Sequence, residues 1–336
     1  MTLCVFCLGG QDTPGLEEDA MPFREQLCPR LPPTLAAALD ALSARDAARL
    51  EEIRIYVGRA AELVFSGDCR TTDTCVDASQ MDSLLAALCG YALYSCEGQM
   101  AQGYIPIAGG HRAGVCGRMT QEGGTWRMSG VSSVCIRISH DVPGASGAVR
   151  PYLLGPGDLA RRVLLLGPPG CGKTTVLRDA SLWLAEEKGL RVAVADEREE
   201  LFGTRQGLRL HVMGGADKAR AFGMLLRSMA PQVIVTDEIG RPEDADALLN
   251  AARCGVGVLA SAHAGGMEDA EKRPVLRRLM RERAFDRYIL LGRYGSVRGV
   301  CDETGKEMEG DERGQLGCGR DGDDRNQRDR LFALGR

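Results

Sequence analysis

Residues Gly167 to Thr174 read Gly-Pro-Pro-Gly-Cys-Gly-Lys-Thr, the spacing G-x-x-x-x-G-K-[ST], directly after the apolar run Val163–Leu166. Gly167, Gly170 and Gly172 free the backbone to wrap an anion with its N–H groups inward, and a helix starting at Lys173 adds its positive dipole end. Lys173 can extend an ammonium to terminal phosphates, and Thr174 offers a hydroxyl to Mg²⁺. Pro168, Pro169, Cys171 and Thr175 complete the set assigned to nucleotide contact. Only 5 of the 42 basic residues are lysine, and none precedes Lys173, so this position calls for an ammonium where the chain otherwise uses guanidinium. The ordinary alternative is a Gly-rich turn with an exposed lysine; the strand before the loop and the helix after it favour the phosphate loop.

Three further apolar runs end in polar groups of matching chemistry. Val233-Ile-Val-Thr leads to Asp237 and Glu238. Beside a phosphate-loop strand, Asp237 is placed to hold Mg²⁺ and Glu238 to orient and polarise an attacking water. Val192-Ala-Val-Ala leads to Asp196, Glu197 and Arg198. That pair of acids suits metal binding by Asp196 and water positioning by Glu197; a strand-end salt bridge with Arg198 competes. The third run ends in Ser261-Ala-His263, one of only 4 histidines. There an imidazole can sense the γ-phosphate or brace Glu238, or be a structural histidine.

These groups need a scaffold that brings strand ends together. Length and composition allow about two domains: 336 residues, 44% hydrophobic and 26% charged. Residues 1–30 lack periodicity and read as a loose lead-in; Cys4 and Cys7 there form one C-x-x-C without a second pair at zinc spacing. Residues 31–139 read as an α+β domain: a helix over 31–50, two strands around a Gly turn in 52–67, a helix over 78–97, then Gly-broken apolar runs. Residues 140–160, with three Pro and four Gly, read as a linker. Over 161–300 strands and helices alternate, which predicts a parallel sheet with helices on both faces. Residues 301–336 mix ten acidic and seven basic residues with Gly and read as a disordered acidic tail. The fold class is therefore α/β, a P-loop NTPase domain whose parallel sheet resembles the RecA-like kind, preceded by a smaller α+β domain. A net charge of −4 gives no bulk signal for nucleic acid. No apolar run reaches bilayer length, and thirteen scattered Cys suit a reducing, cytoplasmic compartment.

The series of motifs resembles the secretion ATPase superfamily: Walker A at 167–174, an "Asp box" at Asp196-Glu197, a Walker B segment in LLRSMAPQVIVTDE, and a "His box" in NAARCGVGVLASAHAG. The segments EIRIYVGRAAELV, GYIPIAGGHRAGVCGRMTQEGG and SSVCIRISHDVPGAS resemble, more narrowly, the ATPase family of the stage III sporulation channel complex in endospore formers. The resemblance spans about residues 31–300. It implies ATP and Mg²⁺ as ligands, Glu238 as the catalytic acid, and a homohexameric ring at the inner face of a membrane with channel membrane proteins as partners. It also implies arginines of the N-terminal domain completing the ATP site, for which Arg112, Arg118 and Arg137 are candidates, Arg112 and Arg137 foremost. Surface or salt-bridged arginines are the ordinary alternative for each.

Two other functions compete. A nucleic-acid-linked ATPase has the basic stretch 272–287 in its favour and the acidic tail and the lack of any His after His263 against it. A slow nucleotide-gated scaffold differs from a motor only in turnover, and Glu238 argues against it.

Overall fold

The computed structural model describes residues 22–202 and 209–308. Cys4, Cys7, the rest of the expected lead-in up to residue 21, and the tail from 309 lie outside the described residues. In chain order the strands are β1 Leu50–Tyr56, β2 Arg59–Phe65, β3 Asp68–Cys75, β4 Tyr104–Ile107, β5 His111–Glu122, β6 Thr125–Arg137, β7 Arg162–Gly167, β8 Val192–Asp196, β9 Leu210–Gly214, β10 Val233–Thr236, β11 Gly257–His263, β12 Arg287–Leu291 and β13 Val297–Cys301. The helices are α1 Pro22–Leu27, α2 Pro33–Asp40, α3 Ala44–Arg49, α4 Ala78–Leu88, α5 Leu93–Ala101, α6 Arg150–Leu153, α7 Lys173–Leu182, α8 Lys218–Met229, α9 Pro242–Arg253, α10 Met267–Lys272 and α11 Pro274–Arg281.

The first sheet is antiparallel, in the order β3-β2-β1-β6-β5-β4. Alternation sets its two faces. Ile53, Ile136, Ala113 and Ile105 align across four strands and are buried under the helices. One residue away, Glu52, Arg137, Arg112 and Pro106 align on the opposite face. Both helices expected in this part are broken in two. Ser43 caps α3 by accepting from Asp46 N at 3.1 Å. The turn before α5 passes through Gly90 and Tyr91, both at positive φ. The lead-in ends earlier than expected: residues 22–30 are helical, and Phe23 and Leu27 are buried in the core with Leu35 and Leu39. A short amphipathic segment of six residues is too brief for its period to stand out in a sequence.

The second sheet runs β13-β12-β7-β11-β10-β8-β9, parallel except for the β12–β13 pairing at one edge. Successive residues of each central strand enter opposite cores. Leu164, Ala193, Ile234 and Val258 pack with α8, α9 and α11; Val163, Val192, Val233 and Leu259 pack with α6 and α7. This double burial accounts for the unbroken apolar runs. The expected linker is docked on this domain. Val149 and Leu153 are buried in its core, and the Asp179 carboxylate on α7 accepts from Gly144 N at 2.9 Å and Ser146 N at 2.8 Å. The expected tail begins instead as part of the sheet, with Cys301 closing β13 and bridging to Glu307.

His111 joins the early helices to the first sheet. Its Nδ1 accepts from Ser139 N at 2.9 Å, so the ring proton sits on Nε2, which donates to Gln26 Oε1 at 2.7 Å. Burial, with added repulsion from His140 and Arg178, pushes its pKa down from 6.5 to about 4. Between those values the unfolded chain binds a proton that the native fold refuses, so the contribution is complete above about pH 6.5 and is lost as pH falls toward 4. The denaturant midpoint should fall across that window more steeply in the parent than in His111→Asn. Equal slopes would rule out His111 as the source.

Candidate active site

The loop after β7 is shaped by backbone that other residues resist. Gly170 turns through φ 72 and Gly172 caps α7 at φ 96, both in the left-handed region that glycine adopts without strain. The turn itself thus calls for glycine at these two positions. At Gly172 a Cβ would also stand 3.2 Å from Gly295 N. Gly295 N donates to Cys171 O at 2.7 Å, so the turn between β12 and β13 braces the loop from outside. Lys173, buried, donates from Nζ to Gly167 O at 3.0 Å and Pro168 O at 2.9 Å, and meets His263 Nδ1 at 3.0 Å.

An ammonium has donors only, so His263 Nδ1 accepts and its proton lies on Nε2, which donates to Glu238 Oε1 at 3.1 Å. Glu238 sits at φ 50, a left-handed turn that aims its carboxylate off the end of β10. Its backbone N donates to Asp237 Oδ1 at 2.9 Å and Ser261 Oγ at 3.1 Å. Thr174 Oγ1 donates to Asp237 Oδ2 at 2.6 Å. The structure thus brings Lys173, Thr174, Asp237, Glu238 and His263 together. It corrects one expectation: β10 is not beside β7. β11 lies between them and contributes Ser261 and His263 as the bridge.

The other candidates are placed differently. Asp196 is buried, and its oxygens accept from the backbone N–H groups of Glu200 at 2.9 Å, Leu201 at 3.0 Å and Phe202 at 2.9 Å. It ties down the loop after β8 through these three bonds. Glu197 bridges Lys218 Nζ and Arg241 Nη2, both at 2.9 Å. Burial would raise its carboxyl, but the two cations outweigh that and hold it below the usual carboxylate range. Arg198, the competing partner in the sequence, pairs instead with Glu238 Oε2 at 2.5 Å. Arg112 donates to Glu200 Oε1 at 2.6 Å and stacks 4.2 Å from the Tyr104 ring centre. Arg137 lies 3.7 Å from Glu52 on the exposed sheet face, and Arg118 is exposed. The arginine contacts found are thus to Glu200 for Arg112 and to Glu52 for Arg137.

Sequence reasoning passed over four residues. Ser261 lies two positions before His263 and so shares its strand face. Lys218 was open to the same scarcity argument as Lys173. Arg241 and Arg178 carry no signal among so many arginines. Arg178, buried on α7, donates to Leu201 O at 2.5 Å, Glu200 O at 2.8 Å, His140 O at 3.2 Å and Asp141 Oδ1 at 3.3 Å.

For Mg²⁺, the adjoining Thr174 hydroxyl and Asp237 carboxylate are hard oxygen donors at the mouth of the phosphate loop, which fits that ion. Among the described residues no three His, Cys, Asp or Glu side chains converge as an all-protein cage.

The family model Sporulation stage III, protein AA matches residues 24–308. Stage III sporulation protein AA of Bacillus subtilis (strain 168) is 37% identical over 293 residues, 83% of this chain and 95% of that protein. The uncharacterized protein ycf45 of Cyanidium caldarium is 25% identical over 162 residues, 46% of this chain and 47% of that one. The X-ray structure of the Legionella pneumophila ATPase DotB covers 78% of this chain and 76% of its own, with a TM-score of 0.52 at 15% identity, a likeness of fold.

The anchoring role of Asp196 is testable without nucleotide. Asp196→Ala orphans three N–H groups, each costing about 1–3 kcal/mol if left unpaired. Urea unfolding of the metal-free protein should show a loss of at least about 3 kcal/mol. Unchanged stability would return Asp196 to the metal site.

Proposed function

The chain belongs to the family Sporulation stage III, protein AA, and on that basis we propose that it is a Mg-ATP-hydrolysing motor that powers assembly of, or transport through, the stage III sporulation channel. The observation that carries the hydrolytic reading is the unbroken contact path from Lys173 through His263 to Glu238, lying alongside the Thr174–Asp237 pair.

Each residue has a task that follows from its position. The backbone N–H groups of 167–174 and the N-terminus of α7 bind the phosphates. Lys173 exchanges neutral carbonyl partners for phosphate oxygens, which attract an ammonium more strongly. Thr174 and Asp237 would hold Mg²⁺, which neutralises phosphate charge when bound. Glu238 accepts a proton from water or orients it toward the terminal phosphorus, and His263 keeps that carboxylate and Lys173 in fixed relation. Turnover then becomes motion of the N-terminal domain across the interdomain cleft. The homohexameric ring, the channel membrane proteins as partners, and a location on the inner face of the membrane belong to the same proposal. No helix of the described residues is long and apolar enough to cross a membrane.

The test is ATP hydrolysis against protein concentration, with light scattering for mass. Turnover per protomer should rise with assembly. Glu238→Gln should keep nucleotide binding and lose about 100-fold or more in turnover; Lys173→Ala should weaken binding about ten- to hundredfold. Full turnover in Glu238→Gln, or unchanged affinity in Lys173→Ala, defeats the reading. Concentration-independent turnover in a monomer defeats the ring.

A further inference from the structure

Arg198 belongs to two regions at once. Its guanidinium holds Glu238 Oε2 at 2.5 Å while His263 Nε2 holds Oε1 at 3.1 Å, so both oxygens face N–H donors. A carboxylate that polarises water needs an oxygen for that water. Of the two partners, His263 is fixed through Lys173, whereas the Arg198 side chain is half exposed. Arg198 also borders a polar cavity of about 240 Å³ between the domains, lined by Gln99, Gln102 and Tyr104 on one side and Glu197 and Glu199 on the other. A guanidinium leaving Glu238 finds carboxylates and amides there.

The turn that carries Arg198 is gripped from the N-terminal domain. Two residues on, Glu200 accepts from Arg112, itself stacked on Tyr104 in the cavity wall. Gly110, just before β5, comes so close that an added Cβ would stand 2.9 Å from both Glu200 O and Arg178 Nη2. Glu199 at φ 56 completes a tight turn closed by its N–H to Asp196 O at 3.0 Å. Glu200 thus joins the first sheet to the turn that carries Arg198, with Glu199 alone between the two.

Taking Glu238 as the water-polarising group, we propose that Arg198 is a positioning residue that latches this carboxylate away from water, and that the Arg112–Glu200 pair sets the latch from the N-terminal domain. Movement of that domain draws Arg198 into the interdomain cavity and frees Glu238 Oε2.

Steady-state ATP hydrolysis by the full chain, with kcat and KM measured separately, tests this. A half-exposed ion pair shifts a population by at most about five-fold. Arg198→Gln should raise kcat by about two- to five-fold with KM unchanged, and Arg198→Lys should stay near the parent. Arg112→Ala should raise kcat in the parent and leave it unaltered in Arg198→Gln. A fall in kcat for Arg198→Gln overturns the latch and makes Arg198 a cation that assists turnover. Equal effects of Arg112→Ala in both backgrounds overturn the coupling. Glu238→Gln and binding of a fluorescent ATP analogue run alongside. Retained binding with Arg198→Gln as silent as Glu238→Gln overturns the latch; lost binding in the parent overturns the nucleotide reading beneath it.

Discussion

Lys173 facing His263 Nδ1 at 3.0 Å sets the direction of the hydrogen bonds that follow from it. The ammonium cannot accept, so the imidazole must, and its remaining proton points at Glu238. The sheet order obeys the same requirement. His263 can touch both the loop after β7 and the acid after β10 only if β11 runs between those strands, as it does. Ser261, one pleat back on the same face, then donates to Asp237 and completes the hydroxyl–carboxylate cluster that includes Thr174. One contact thus ties three strand ends into a unit in which moving any member misaligns the others.

The loop after β8 makes the equivalent link between domains. Asp196 fixes its far end through three N–H groups, Glu197 is held by Lys218 and Arg241, and Arg178 collects its carbonyls together with the end of the first sheet. Charged groups packed this densely would be costly if any were left alone, which favours their moving as a set. The expected linker behaves likewise: Asp179 gathers its N–H groups onto α7, the helix that starts at Lys173. Arg178 and Asp179, neighbours on that helix, thus both tie it to the segment that follows the first sheet.

The second domain was the more legible in the sequence. Strands buried on both faces appear as continuous Val/Leu/Ile runs, and each motif stands where such a run stops, so Lys173, Asp237, Glu238 and His263 could be placed without knowing which strands are neighbours. Neighbour order was not legible, because nothing in a strand's composition says which strand it pairs with, and β10 was set beside β7 in error. Asp196 and Glu197 show a second limit. A carboxylate that caps its own loop and one that binds an ion carry the same letters, and only the three converging N–H groups separate them. The arginines mark a third: with 37 in the chain, type alone could not select Arg178 or Arg198, while Lys218 was open to selection by scarcity. Phe23 and Leu27 were lost because a helix of six residues is too short for its period to be read.

Among the described residues the first sheet has two open margins, and both are blunted. β3 is Asp-Cys-Arg-Thr-Thr-Asp-Thr-Cys, polar and mostly exposed, with charges at Asp68, Arg70 and Asp73. β4 is four residues long and contains Pro106, which has no N–H to offer. Each margin is thus a poor template for a strand from another chain, which disfavours ladder extension, the usual hazard of an unclosed sheet. A domain of this kind can crowd against copies of itself and still be recognised only through its side chains.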